Sequence, residues 1–269
     1  MKRRLGSVFR YLFLSVASIL SVFPLYWMAV ASTNKSTDVL KGTLIPGTNL
    51  LMNLKDLLAS QDIVRAMTNS FINAASLTIL ALIICSIAGY GFEIYHTKGK
   101  DFVMNILLLA MMMPFAATMI PLFQMFSKMD LLSTTLGIIL PTVSTPFLIL
   151  LFRQSARNFP HDIIEAARID GLNEVRIFFR MFIPTMRSTY AAAMTITFMN
   201  AWNSYLWPKV IVMNNEGITM TMLVGNLTAG YVTNYGVLML AVLICTIPTV
   251  VIFFLLQKSF AEGITGAIK

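Results

Sequence analysis

Six apolar runs dominate the sequence, at residues 11–31, 70–95, 102–123, 135–152, 189–207 and 235–257. Each is close to or above the roughly 18 to 20 residues that a helix needs to cross the hydrocarbon core of a bilayer. Lipid offers no hydrogen-bond partner to a peptide group, so such runs must close their backbone bonds within helices. The expected fold is all-α and integral to a membrane, with six transmembrane helices in a single domain over residues 1–269 whose core covers about 68–258. Only 12% of the residues are charged, about half the share of a soluble domain, which excludes an ordinary soluble enzyme.

Charge gives the expected orientation. Fourteen of the 20 Lys and Arg fall in the amino-terminal segment, the second link, the link 153–187 and the tail; the other six lie in the first, third and fifth links. Positive charge collects on the cytoplasmic side, so both termini and the link 153–187 are expected inside. The net charge of +8 is thus a topology signal, with no basic and aromatic face to track a nucleic acid. The start of the chain also resembles a secretory leader, with Ala29-Val30-Ala31 before Ser32 as a cleavage site. The run is long for a leader, and Pro24, Tyr26 and Trp27 sit where an interfacial anchor fits, so an uncut first span is expected.

The interior of the runs is poor in reactive groups. Glu93 is the one ionisable residue inside an expected span, whereas proton-driven carriers need acids or histidines at mid-membrane. No phosphate-binding loop occurs, since Gly99-Lys100 is followed by Asp101 without the preceding glycine. Any energy for active transport must then come from another polypeptide. His96 and His161 lie in loops, and Cys85 and Cys245 sit alone in apolar runs, so no catalytic and no metal-binding residues are assigned. Pro114 and Pro121, Pro141 and Pro146, and Pro248 are expected to kink the third, fourth and sixth spans. Met111-Met112-Met113 is read as adaptable core packing.

The link 153–187 carries the most specific pattern. From Asn158 it reads NFPHDIIEAARIDGLNEVRIFFRMFIP. Asp162 is expected to cap a helix with Glu165 in its first turn, and Gly171 to end it in a left-handed conformation. Ala166 and Ala167 leave a shallow surface, with Glu165 and Arg168 projecting beside it, a shape suited to a partner's groove. Asn173 then caps a second helix that brings Arg176 and Arg180 onto one face and ends before Pro184.

EAARIDG at 165–171, followed after nine residues by Met181-Phe182-Ile183-Pro184, closely resembles the EAA loop of permease subunits of binding-protein-dependent ABC importers. Met181 and Ile183 are conservative departures from the usual Ile and Leu. WNSYLWP at 202–208, YG at 235–236, the Pro248 span and the tail QKSFAEGITGAIK extend the resemblance over nearly the whole chain, toward carbohydrate importers of the maltose type. The resemblance implies a type I ABC importer permease fold in a bacterial inner membrane. It implies four kinds of partner: a homologous second permease, two copies of a cytoplasmic ABC ATPase, an extracytoplasmic sugar-binding protein and the sugar itself. ATP and Mg would be held by the ATPase, with no cofactor on this chain. Glu165, Ala166, Ala167, Arg168, Asp170 and Gly171 would form the coupling helix, with Glu165 making the charged contact, the alanines the close fit and Gly171 the turn. The tail near 263–269 would approach the ATPase, and the loop 208–234 would meet the binding protein.

At the outer end of the fifth span, Asn200, Asn203 and Trp207 are spaced to share one helical face, flanked by Trp202 and Tyr205. Amides bond adjacent hydroxyls and an indole offers a plane to a pyranose, which makes these five the candidate substrate path. Interface anchoring explains the same aromatics equally well. A glycerol phosphoester is the rival solute. A membrane-embedded enzyme is the rival class, and it would need nucleophiles clustered at one depth.

Overall fold

A computed structural model describes residues 2–230 and 232–266. The side chains of residues 1–6, 8, 231 and 258–269 lie outside that description, among them Lys2, Arg3, Arg4, Lys258 and the tail's expected ATPase contacts. Most of the described residues are helical, and none of them forms a strand. The order is α1 (Lys2–Ser32), α2 (Ser36–Leu40), α3 (Leu50–Ser60), α4 (Ile63–Ile94), α5 (Lys98–Ala110), α6 (Phe115–Lys128), α7 (Thr135–Ile139), α8 (Pro146–Arg157) and α9 (His161–Ile169), then α10 (Glu174–Ile177), α11 (Ile183–Thr185), α12 (Arg187–Trp202), α13 (Leu206–Ile211), α14 (Met220–Leu227) and α15 (Tyr235–Gly266). A 3-10 turn, Leu140–Thr142, follows α7, and a π turn, Phe178–Phe182, joins α10 to α11.

Among the described residues, α1, α4 and α15 are each long and apolar enough to cross a membrane unbroken. The third and fourth expected spans are not straight. Between α5 and α6 the chain bends by 99°, and between the α7 segment and α8 by 55°. Proline sets both breaks. Pro114 occupies the extended N-cap position of α6, and Pro146 opens α8 behind Thr145, because a proline disfavours helical backbone in the residue before it but fits a helix's first turn. Pro121 and Pro248 instead stay inside continuous helices. Met111, Met112 and Met113 form the exposed elbow of the first bend, 48%, 80% and 62% accessible; they are not core.

The fifth expected span is also shorter than its apolar run. The helix α12 stops at Trp202 after 16 residues. Pro208 explains the stop, since its ring would clash with the carbonyl of Ser204 in a continued helix. The Ser204 carbonyl instead accepts a bond from the Thr221 hydroxyl at 2.7 Å.

The chain divides into two compact units. In the first, Met1–Val64 with Met222–Ile247, the end of α1 is sealed by amides. The buried Asn53 donates to the carbonyls of Ser32 (2.8 Å) and Asn34 (3.0 Å), while buried Asn34 donates to those of Val30 (3.1 Å) and Ile45 (3.0 Å). The Val30 and Ser32 carbonyls lie in the last turn of α1, where a helix end lacks onward internal partners, and those of Asn34 and Ile45 lie in the segment that follows. Gly236 passes so close that a Cβ there would lie 2.5 Å from the Asn34 carbonyl and 2.8 Å from the Asn53 amide, which accounts for a glycine after Tyr235.

The second unit, Arg65–Thr221 with Pro248–Lys269, contains two apolar clusters along α4. Ala81, Leu82 and Cys85 pack with Met104 of α5, Leu148, Ile149 and Phe152 of α8 and Ala193 of α12. Further along, Tyr90 packs with Ala156, Phe159, Ile164, Ala167, Ile177, Phe178 and Phe182. Gly89 lies between the two, and its Cα faces α8 directly: a Cβ would sit 2.6 Å from the Phe152 Cβ and 2.7 Å from the Arg153 nitrogen. Glycine is therefore what permits this helix crossing.

Candidate functional site

The link 153–187 folds much as its sequence implies, with three differences. The helix α9 begins at His161 with Pro160 at the N-cap, so Asp162 lies in the first turn and caps nothing with its side chain; its charge still complements the helix N-terminus. At the other end Gly171 adopts φ +78°. The Leu172 N–H then reaches the Ala167 carbonyl at 3.0 Å while the Leu172 side chain packs on the cluster around Tyr90, the closing pattern of a glycine-terminated helix. The Asn173 side chain caps the next helix by accepting the Arg176 N–H at 2.9 Å. That helix does not end before Pro184. It widens into the π turn and continues through Pro184 to Thr185, because five-residue bonding changes the register ahead of a ring that regular α-helix excludes.

The third difference concerns which residues of α9 face outward. Ile164 and Ala167 are buried, 1% and 4% accessible, while Glu165, Ala166, Arg168 and Asp170 are exposed and Ile169 is 87% accessible. The shallow surface expected from two alanines thus falls to Ala166 alone; Ala167, three residues after Ile164, belongs to the inward face. Behind that face stands an aromatic block. Tyr90 lies edge-on to Phe182 and Phe178 with ring centroids at 4.9 and 5.3 Å, and Phe159 meets Phe182 at 5.7 Å. Arg168 donates to Glu174 across the Gly171 turn at 2.7 Å. The Arg168 guanidinium, aided by the Tyr95 phenol, holds the Glu174 carboxyl below its ordinary value, and Glu174 in turn raises Arg168.

A second ionic group lies at the same end of α4. Arg153 of α8 donates to Glu93 at 3.0 Å and to Asp101 at the start of α5, and His96 contacts Asp101 at 2.9 Å. Sequence reasoning counted Arg153 only toward topology. The signal was Glu93 itself, since an acid within a span requires a cation.

The candidate substrate path is only partly assembled. Asn200, Tyr205 and Trp207 line a cavity of about 400 Å³ together with Asn73 and Leu77 of α4, Phe115, Thr142, Thr145, Phe147, Thr197 and Ser204. Trp202 and Asn203 do not line it. Because α12 ends at Trp202, the spacing 200, 203, 207 does not form one helical face. Asn203 folds back onto the Met199 carbonyl at 2.9 Å, and Trp202 is buried against Phe198 with centroids at 5.9 Å. Trp207 is itself 3% accessible; its indole N–H donates to the Gly137 carbonyl at 3.0 Å, and Phe115 and Phe126 flank its ring at 6.0 and 5.7 Å. Among the described residues, no Lys, Arg, His, Asp or Glu lines the cavity. Asn73 carries no local signal in the sequence, since it stands in an apolar run without the neighbouring Trp and Tyr that mark Asn200 and Asn203.

Residues 93–266 match the family described as binding-protein-dependent transport system inner membrane component. The lactose transport system permease protein LacG of Rhizobium radiobacter is 40% identical over all of this chain and 98% of its own length. The arabinooligosaccharides transport system permease protein AraQ of Halalkalibacterium halodurans is 32% identical over the full length of both. Among solved structures, a bacterial ABC transporter involved in the import of the acidic polysaccharide alginate superposes with a TM-score of 0.83 at 20% identity, covering 97% of this chain and 98% of that one.

Proposed function

The chain belongs to the family of binding-protein-dependent transport system inner membrane components, and from that premise we propose that it is the permease subunit of an ATP-driven carbohydrate importer, forming half of the path across the membrane. It does no chemistry of its own. Hydrolysis belongs to two copies of a cytoplasmic ABC ATPase that bind ATP and Mg, a homologous second permease supplies the other half of the path, and an extracytoplasmic binding protein delivers the sugar.

The carrying observation is the two-sidedness of α9. Its outer side offers Glu165, Ala166 and Asp170, and its inner side is fixed through Ile164 and Ala167 to a block that includes α4 and α8. A short helix held this way transmits displacement from an ATPase groove to the spans without absorbing it, because packed interiors deform little. Gly171 makes the turn and Arg168 braces it through Glu174. In this reading the chain crosses the membrane six times, with α12 as the fifth crossing, the bent pairs as the third and fourth, and both termini in the cytoplasm.

Carbohydrate as the solute is supported by the relatives named for lactose and arabinooligosaccharides. The cavity agrees, since a phosphoester calls for a cation and none lines it. The test is uptake of labelled lactose and arabinooligosaccharides into vesicles holding the assembled complex. Glu165→Lys should abolish uptake while the complex still assembles. Accumulation of solute by this polypeptide in vesicles without any ATPase would overturn the proposal.

A further inference from the structure

Asn73 brings an amide to the wall of the 400 Å³ cavity from a residue only 7% accessible. Beside it on the same cavity, the Thr197 hydroxyl oxygen is fully enclosed and has no hydrogen-bond partner among the described residues. Burying a polar group without partners is costly, and native proteins rarely leave one so unless a ligand or water serves it. Asn200 adds a second amide one turn further along α12, and Phe115 and Trp207 supply apolar surface.

Resting on the saccharide reading above, we infer that Asn73 is a specificity-determining contact of this subunit, binding a hydroxyl pair on one uncharged glycosyl unit held in this cavity. An amide carries a donor and an acceptor on adjacent atoms, the complement of two vicinal hydroxyls. The aromatic wall takes the less polar face of the ring. A volume of about 400 Å³ is at the small end of ligand pockets, which span roughly 300 to 1,000 Å³, so it suits one or two glycosyl units. A phosphate would enter without a cation to replace its hydration.

The experiment measures uptake by the complete reconstituted transporter of a panel of neutral disaccharides and their monodeoxy analogues, for the unmodified chain, Asn73→Ala and Asn73→Ser. The binding protein is the same throughout, so its own selectivity cancels when the variants are compared. In the unmodified complex, removing one particular hydroxyl should raise KM about tenfold, the size of one or two lost hydrogen bonds. In Asn73→Ala the parent sugar should show the raised KM, and parent and deoxy sugar should become equivalent. Asn73→Ser, which keeps a donor and an acceptor, should recover part of the discrimination and decides the matter if the alanine variant does not assemble. An unmodified complex indifferent to every deoxy substitution, or variants with the same deoxy penalty as the unmodified chain, would overturn the inference while leaving saccharide import intact. Failure of the unmodified complex to import any neutral disaccharide would overturn both.

Discussion

The Arg153 guanidinium lies 3.0 Å from the Glu93 carboxylate, joining α8 to α4 one turn beyond the point where Gly89 lets the two helices touch. The two side chains are 15% and 16% accessible, so each would be left poorly solvated without the other. The pair, together with the Gly89 crossing, makes α4 and α8 one mechanical piece at the end that carries α9.

Arg153→Met should therefore be more damaging than Glu93→Gln. Removing the cation leaves Glu93 and Asp101 without their shared partner, and an uncompensated, largely buried charge costs several kcal/mol. With some exposure remaining, a loss of about 2 kcal/mol is expected, read as a fall of several degrees in Tm of the purified protein. Equal Tm values for the two variants would contradict this account.

Gly89→Ala tests the helix crossing. Its new methyl would lie 2.6 Å from the Phe152 Cβ, and overpacking of this kind costs roughly 1 to 3 kcal/mol. Gly91→Ala is the control, since nothing lies within 4 Å of a Cβ there. Thermal denaturation should separate the two variants clearly.

Asn53→Ala should destabilise the first unit by about 2 kcal/mol, because the carbonyl of Ser32 at the end of α1 and that of Asn34 just beyond it lose their donor in a buried setting. Gly236→Ala should act on the same contact by pushing against Asn34 and Asn53. The double variant should cost less than the sum of the two, as neighbours sharing a contact are not additive. Additivity in denaturation midpoints would show that the contact is not shared.

The Arg168 to Glu174 pair predicts a direction with pH. The Arg168 guanidinium holds the Glu174 carboxyl below its ordinary value in the folded chain, so the folded state binds fewer protons than the unfolded one near that value. The pair's contribution is then complete above the ordinary carboxylate value and is lost as pH falls through the lower folded value. Glu174→Gln should lower Tm slightly at pH 7, the loss being small because both side chains are about 40% accessible and salt screens them, and the two chains should converge as pH falls below about 5. A larger effect at pH 4 than at pH 7 would refute the assignment.

The legible parts of the chain are those written within a few neighbouring residues. Apolar runs located α1, α4 and α15, and Gly171 and Asn173 announced a turn and a cap that formed as expected, because such conformations depend on local sterics and short-range bonds. The bends at Pro114 and Pro146 were foreseeable as breaks, though not as angles of 99° and 55°. The face assigned to Asn200, Asn203 and Trp207 failed because periodicity presumes an unbroken helix, and Pro208 breaks it from six residues ahead.

Sequence alone thus determined that this chain lives in lipid as helices and carries an exposed Glu165 on a short helix closed by a glycine. Tertiary structure decided that Ala167 turns inward, that Arg153 answers Glu93 from 60 positions away, and that Asn73 and Asn200 meet across one cavity. The physical reason is range. A cap or a turn draws its energy from atoms a few bonds apart, whereas a buried charge or amide finds its partner only when distant helices have packed.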